Sequence, residues 1–471
     1  MPQEETRIRQ DAWGLSLGST QTAATQPWDP VLDAYARGVE QMMALDSQSP
    51  LPPDSWIWAA NTHNFPFGTP VESATWATCE HASPYFLPWH RAYLVWFERT
   101  IQSLVGDPTW ALPYWDYTGE DSGRLAPPPE FSVPERVVDG ASVPNPLFVA
   151  GRGNPNQGSV GVVLAMTQTH YAVAAPQVGF GGSDRRGVNG MESVEMEPHN
   201  FVHGAIGGLM GSTATAGRDP LFWLHHANID RLWEVWRRLD GSVDADSPGG
   251  LTGEVGADWK TTNFEFGADA QRLDVSAKDM PFLGTAPVNY SYDRLELTAA
   301  QLQAVKAARS AATGGGIAVE ANESWTVVGA SSGQVHIGEE GEEVAVELDE
   351  QQASAAAASG RPSGLIVGVE GVSAESTPHP VYRVEVAASP DAEFHYAGRF
   401  STFGIGDDLR AGPRTFYVDA SELVPVLTSE GWTGGQVLVR IAHDPENEPP
   451  DVAAAAPPEL VVEQISIHQR A

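Results

Sequence analysis

The chain has 471 residues, 42% of them hydrophobic and 15 of them Trp, which marks a globular protein with enough sequence for two domains. Its 61 acidic against 27 basic residues give a net charge of −34. A negative field of that size repels phosphate backbones and anionic lipid, so nucleic-acid binding and a peripheral membrane role are excluded from the expected functions.

The opening stretch MPQEETRIRQDAWG lacks the apolar core of a signal peptide, and no apolar run approaches the roughly 18 residues that span a bilayer. A soluble, cytoplasmic chain is the expectation; its oligomeric state is not legible. WDPVLDAYARGVEQMMAL (Trp28–Leu45) has apolar residues at helical spacing behind a proline in its first turn, and HRAYLVWFERTIQSL (His90–Leu104) reads the same way. Between Gly119 and Asn189 the sequence is rich in Gly, Pro and Asn, the pattern of a long functional or covering connection. DPLFWLHHANIDRLWEVWRRL (Asp219–Leu239) opens on Asp-Pro, a helix start signal. After Tyr292 an Ala-rich helical pattern (Leu297–Ala312) leads into the joint ATGGG (Ala312–Gly316). Short alternating segments then run from SWTVVGA to LVVEQISIH and predict an antiparallel β-sandwich, with GEEGEE (Gly338–Glu343) and Asp349–Gly364 as solvated loops.

Histidines are concentrated in two places. His63, His81 and His90 lie in the first hundred residues, and His199, His203, His225 and His226 form a second cluster. His199 and His203 are four apart, so a helix turns both imidazoles to one side, and the HH pair of FWLHHANID offers a further ligand on an apolar helix. Three histidines from two helices suit a borderline metal such as zinc or copper, and two such sets in one domain suggest a binuclear centre. There is no HExxH motif, and an all-imidazole donor set fits copper cycling between its two oxidation states.

The segments HASPYFLPWHRAYLVWFER, ALPYWDYT, PHNFVHGAIGGLM and RDPLFWLHHANIDRLW together resemble the type-3 copper proteins: tyrosinases, catechol oxidases and molluscan-type haemocyanins. The match runs from about Arg9 to Tyr292. It implies a mainly α-helical copper domain built on a four-helix bundle (1–295), a helical or flexible linker (296–323), and a C-terminal antiparallel β-sandwich (324–471) that covers the active site. The implied cofactors are two copper ions, with dioxygen as co-substrate and small phenols as substrates. His63, His81 and His90 would hold the first copper and His199, His203 and His226 the second, with His225 beside them as a packing residue. The resemblance also implies a thioether between Cys79 and His81, since a cysteine two residues before this ligand is bonded to it in fungal tyrosinases and molluscan haemocyanins.

The same resemblance assigns Glu195 and Asn200 to a water that takes the phenol's proton. It makes Thr213 a small gate residue, Asp230 a partner that orients an imidazole, and Phe222, with Phe86 and Trp223, pocket wall or core. Tyr290 and Tyr292 match a Tyr-x-Tyr signature against which Arg9 packs. In the tail, EFHYAGRFSTFG offers Phe394, Tyr396, Phe400 and Phe403 as the side chain that plugs the cavity, or as sandwich core. The expected activity is ortho-hydroxylation of monophenols and oxidation of o-diphenols to o-quinones. The alternatives are a catechol or o-aminophenol oxidase without the hydroxylation, and a haemocyanin-like oxygen-binding protein.

Overall fold

The computed structural model describes residues 6–119, 121–247, 250–251, 253–313, 325–349, 364–374, 380–406, 412–448 and 457–470. The joint from Gly314 onward and nearly all of the Asp349–Gly364 run lie outside the described residues. Among the described residues no helix is long and apolar enough to cross a membrane.

Two of the predicted helices begin where Asp-Pro places them. Asp29 caps the helix Pro30–Leu45 by accepting from Val31 N–H at 2.8 Å, and Asp219 does the same at 2.8 Å for Leu221 at the head of Pro220–Arg237. The third long helix, Phe86–Val105, starts a turn earlier than its sequence pattern indicates and ends at Gly106, which is left-handed at φ 72°. It packs on both others. Gly38 lets Pro30–Leu45 approach it closely, since a Cβ there would meet Ile101 at 2.7 Å. On the other side Phe97 stacks on Trp223 with ring centroids 3.6 Å apart. The apolar faces of these helices form one core that extends through the aromatic residues Trp28 to Tyr292.

The N-terminal strand Arg7–Arg9 pairs in parallel with Tyr290–Tyr292, joining the two ends of this region. The helix Ala299–Thr313 lies against it too: Arg309 Nη2 donates to the carbonyls of Met166 and Gln168, both at 2.8 Å. The region between Gly119 and Asn189 holds a hairpin (Glu135–Val138 with Ala141–Pro144), short helical turns and the strand Val188–Gly190.

The tail contains two sheets over a second core. One runs, by antiparallel pairing, Glu342–Glu347, Gln436–His443, Val381–Ala387, His395–Ser401. The other centres on Leu365–Ala374, flanked by Arg414–Asp419 and Gln464–Arg470. Valines and isoleucines of both, such as Val384, Val439, Val367 and Ile467, share that core. One feature of the pairing departs from an all-antiparallel tail. Arg414–Asp419 also pairs in parallel with Val188–Gly190, a strand of the helical region. Met196 and Phe201 of the helical region are likewise buried in the tail's core.

Candidate metal centre

The helix Trp56–His63, capped by Ser55, delivers His63 from its last position. His81 stands in the turn before Phe86–Val105, and His90 sits one turn into that helix. Their ring centroids are 5.2 Å (His63 to His81), 5.6 Å (His63 to His90) and 5.3 Å (His81 to His90) apart. His199 belongs to a wide helical turn, Glu195–Asn200, interrupted at Glu197, and His203 to the α-helix Phe201–Ile206 that continues it. The helix Pro220–Arg237 supplies His225 and His226. All of these side chains are buried. The two sets face each other, with His90 stacked on His226 at 4.4 Å.

Hydrogen bonds orient the rings. Nδ1 of His63 is 3.1 Å from Thr213 O, that of His90 2.8 Å from Phe86 O, and that of His203 2.8 Å from Met210 O. Nδ1 of His199 lies 2.8 Å from Asn200 Oδ1 and 3.2 Å from Glu195 O. A carbonyl oxygen accepts and does not donate, so in each case Nδ1 carries the proton and Nε2 keeps its lone pair. Nε2 of His226 is 3.3 Å from that of His199 and 3.4 Å from that of His203. Two imidazole nitrogens at about 2.0–2.1 Å from one tetrahedral metal are about 3.3–3.4 Å apart, so this spacing fits a shared cation. Burial pushes the pKa of His90, His203 and His226 well down, and that of His199 to about 3. These four imidazoles are therefore held neutral, the form that binds a metal.

Proximity alone groups the donors differently from the expected triads. His199, His203, His225 and His226 have ligand atoms within 4.8 Å of one another, as do His63, Cys79 and His81. His90 falls outside the second of these groups, although its buried Nε2 has no hydrogen-bond partner among the described residues. His225 differs from its neighbour: its Nδ1 is 2.9 Å from the Tyr117 hydroxyl, and its ring stacks at 5.3 Å on His199. Cys79 is buried with Sγ 3.6 Å from Nδ1 of His81.

Other expected site residues have definite places. Glu195 accepts from Ala82 N–H at 2.6 Å, and Asn200 turns its oxygen to His199 and its nitrogen toward Met196 Sδ. Phe222 packs at 4.2 Å on His226 and 5.0 Å on His63, and Phe86 at 4.6 Å on His90. Asp230 is a correction. Its carboxylate is held by Arg91, Arg9 (3.4 Å), Tyr290 (2.6 Å) and Tyr292, and no imidazole is among its partners. Although one turn from His226, it is drawn to the cations that close the N-terminal strand on Tyr290–Tyr292. There Arg9 lies 3.5 Å over the Tyr290 ring, as its sequence position indicates.

Of the four aromatic candidates in the tail, Phe403 reaches the centre. Its ring stacks on His203 at 4.3 Å and 17°, and stands edge-on to His199 at 5.9 Å and His81 at 6.3 Å. Phe400 instead stacks on Phe416 in the tail core, Phe394 lies under Arg440, and Tyr396 is 53% exposed. Gly404, at φ +84°, brings the backbone against the buried Thr213, whose Cγ2 would be 3.3 Å from a Cβ there.

Sequence reasoning did not find Tyr117, Met196 or Arg414. Arg414 Nη1 donates to His81 O at 2.9 Å, and Ser401 N–H points at Met196 Sδ. No local signal links positions 333 residues apart.

Residues 53–152 and 154–239 match the model of the common central domain of tyrosinase. The chain is 33% identical over 293 residues, 54% of its length, to tyrosinase HcTyr1 of Hahella sp. (strain CCB-MM4), and 28% identical over 289 residues, 56% of its length, to a chloroplastic polyphenol oxidase of Vitis vinifera. Those matches span 59% and 46% of the two relatives. A tyrosinase of Streptomyces antibioticus is 37% identical over 201 residues, 37% of this chain and 70% of that protein. In fold, the chain resembles a solved latent aurone synthase (polyphenol oxidase), with TM-score 0.56 and 20% identity over 100% of this chain and 90% of the other. It also resembles a tyrosinase from Burkholderia thailandensis, with TM-score 0.54 and 16% identity over 96% and 99%. Identity at that level over most of a bacterial tyrosinase, with the central-domain match over the histidine-bearing helices, establishes that the chain belongs to the tyrosinase family of type-3 copper proteins.

Proposed function

We propose that the chain oxidises phenols with dioxygen at two copper ions, one held by His63, His81 and His90 and the other by His199, His203 and His226. The observation that carries the reading is the pair of facing imidazole sets, in which His63, His90, His199 and His203 have Nδ1 anchored on a carbonyl oxygen. Copper held by these six histidines would supply the redox chemistry toward dioxygen. The chain's own residues do the rest. Phe86 and Phe222 pack the rings and keep water from between them. Thr213, small and buried, leaves room for a substituted ring. Glu195, with Asn200, takes the phenol's proton through a water. Cys79 bonds through sulfur to a ring carbon of His81, with one hydrogen leaving each partner and dioxygen as oxidant. An intact mass about two units below that of the sequence is the sign of this bond, and a freely alkylated Cys79 in active protein rules it out.

We read the chain as a copper domain on a four-helix bundle (1–295), a linker (296–323) and a β-sandwich (324–471) that makes the intact protein latent. Phe403 supports this, since its ring lies on His203 where a substrate ring would enter. One observation favours catechol or o-aminophenol oxidation without monophenol hydroxylation: Glu195 is engaged by Ala82 N–H, and Asn200 has its oxygen on His199. Oxygen uptake with tyrosine, a catechol and an o-aminophenol in turn decides. Uptake with all three supports the full activity, uptake without tyrosine the narrower one, and reversible binding without turnover a haemocyanin-like role.

A further inference from the structure

His81 is the one proposed ligand whose backbone sits in an irregular turn, and that turn is held from three directions. Ala82, which follows it, is left-handed at φ 43°, a conformation unfavourable for a non-glycine residue that persists where the surroundings enforce it. Ala82 N–H donates to Glu195 at 2.6 Å, and Ala82 O accepts from Gly187 N–H at 2.7 Å. The third hold comes from the tail, where Arg414 donates to His81 O at 2.9 Å. The last two are linked. Thr415 N–H donates to Gly187 O at 2.7 Å, and from there Thr415–Tyr417 run paired with Val188–Gly190.

We infer that Arg414 is a positioning residue for His81, so that the C-terminal region holds the first ligand set in shape as well as covering the centre. This rests on the two-copper reading above. A lid that acted only through Phe403 would change access to both metals alike. With Arg414 on the carbonyl of a ligand, moving the tail loosens His81 itself. Arg414 is buried, so its hydrogen bond is formed in low dielectric, where an ionised donor on a carbonyl is stronger than at the surface.

The test is copper retention by the full-length, copper-loaded protein during timed exposure to a chelator, read by metal analysis. Compared with wild type are Arg414→Met, which keeps length and removes the donors, Arg414→Lys, which keeps a charge and donors, and Phe403→Ala. Arg440→Gln is a control that breaks a pairing internal to the tail, with Glu385. Arg414→Met is expected to release one copper equivalent about tenfold faster than wild type, on the scale of losses when a ligand's support is removed, and Arg414→Lys to restore much of the retention. Arg440→Gln should release copper at the wild-type rate, and Phe403→Ala, which opens the centre to the chelator, should change the release of both coppers alike. Equal release by Arg414→Met and wild type overturns the inference, as does loss of both coppers alike in Arg414→Met. If Arg414→Met fails to fold, Arg414→Gln takes its place against Arg440→Gln: faster loss of one copper equivalent in Arg414→Gln supports the role, and equal retention in the two overturns it. A wild-type chain that binds no copper sinks the underlying reading instead.

Discussion

Phe403 lies with its ring 4.3 Å from that of His203 and nearly parallel to it, in a turn that brings Gly404 against Thr213. A side chain from the tail thus occupies the face of an imidazole deep in the helical region. Phe403→Ala removes the ring and leaves the contact of Arg414 with His81 O in place. Its activity on bulky phenols is expected to rise severalfold over the intact chain, with a smaller change for catechol. Unchanged rates on both would mean that the ring does not limit entry.

Glu195 has two roles open to it, as proton acceptor and as the acceptor for Ala82 N–H. Glu195→Gln separates them, because an amide oxygen still accepts from Ala82 while the carboxylate's basicity is gone. Hydroxylation of a monophenol should fall far more than oxidation of a catechol, the more easily deprotonated substrate. Equal losses on both substrates would assign Glu195 to the turn alone.

Asp230 holds Arg9, Arg91, Tyr290 and Tyr292 together away from the imidazoles. Removing one partner of a buried ion pair leaves uncompensated charge, so Asp230→Asn is expected to lower unfolding stability by about 3 kcal/mol. Copper stoichiometry should stay at the wild-type value. Chemical denaturation and metal analysis on the same sample check this, and loss of copper at unchanged stability would return Asp230 to the metal site.

The buried histidines set a pH dependence for the metal-free chain. His90, His199, His203 and His226 have folded pKa values below the ordinary 6.5, through burial and then mutual repulsion, with His199 near 3. Below about pH 6.5 the unfolded chain takes up protons that the folded chain does not, so stability falls as pH drops from there toward 3 and is unaffected above about 7.5. Each imidazole contributes up to about 1.4 kcal/mol per pH unit in that window. Denaturant midpoints of metal-free protein from pH 8 to pH 5 should therefore decline only below neutrality. A flat profile would show that these rings are solvated in the metal-free state.

Much of the helical region was legible because its signals are local. Asp29-Pro30 and Asp219-Pro220 mark helix starts, and histidine spacing along helices brings His199 and His203 together. What could not be read depends on distant partners. Asp230 shares a helix face with His226, yet its charge is matched by Arg9 and Arg91, whose positions only the fold brings near. Val188–Gly190 has three residues and no alternation, and becomes a strand because Thr415–Tyr417 pairs with it. In the tail, Phe400 belongs to a strand whose face is fixed by pairing. Phe403 follows the end of that strand, so alternation says nothing about where its ring points.

The central claim is that two coppers on two histidine sets carry the oxidation. The most direct measurement is copper content together with catechol-dependent oxygen uptake on the full chain, before and after removal of metal by a chelator. About two coppers per chain are expected, with uptake that disappears with them and recovers when copper is restored and not when zinc is supplied. A loaded protein that holds zinc alone, or uptake that persists after the copper has gone, would contradict that claim.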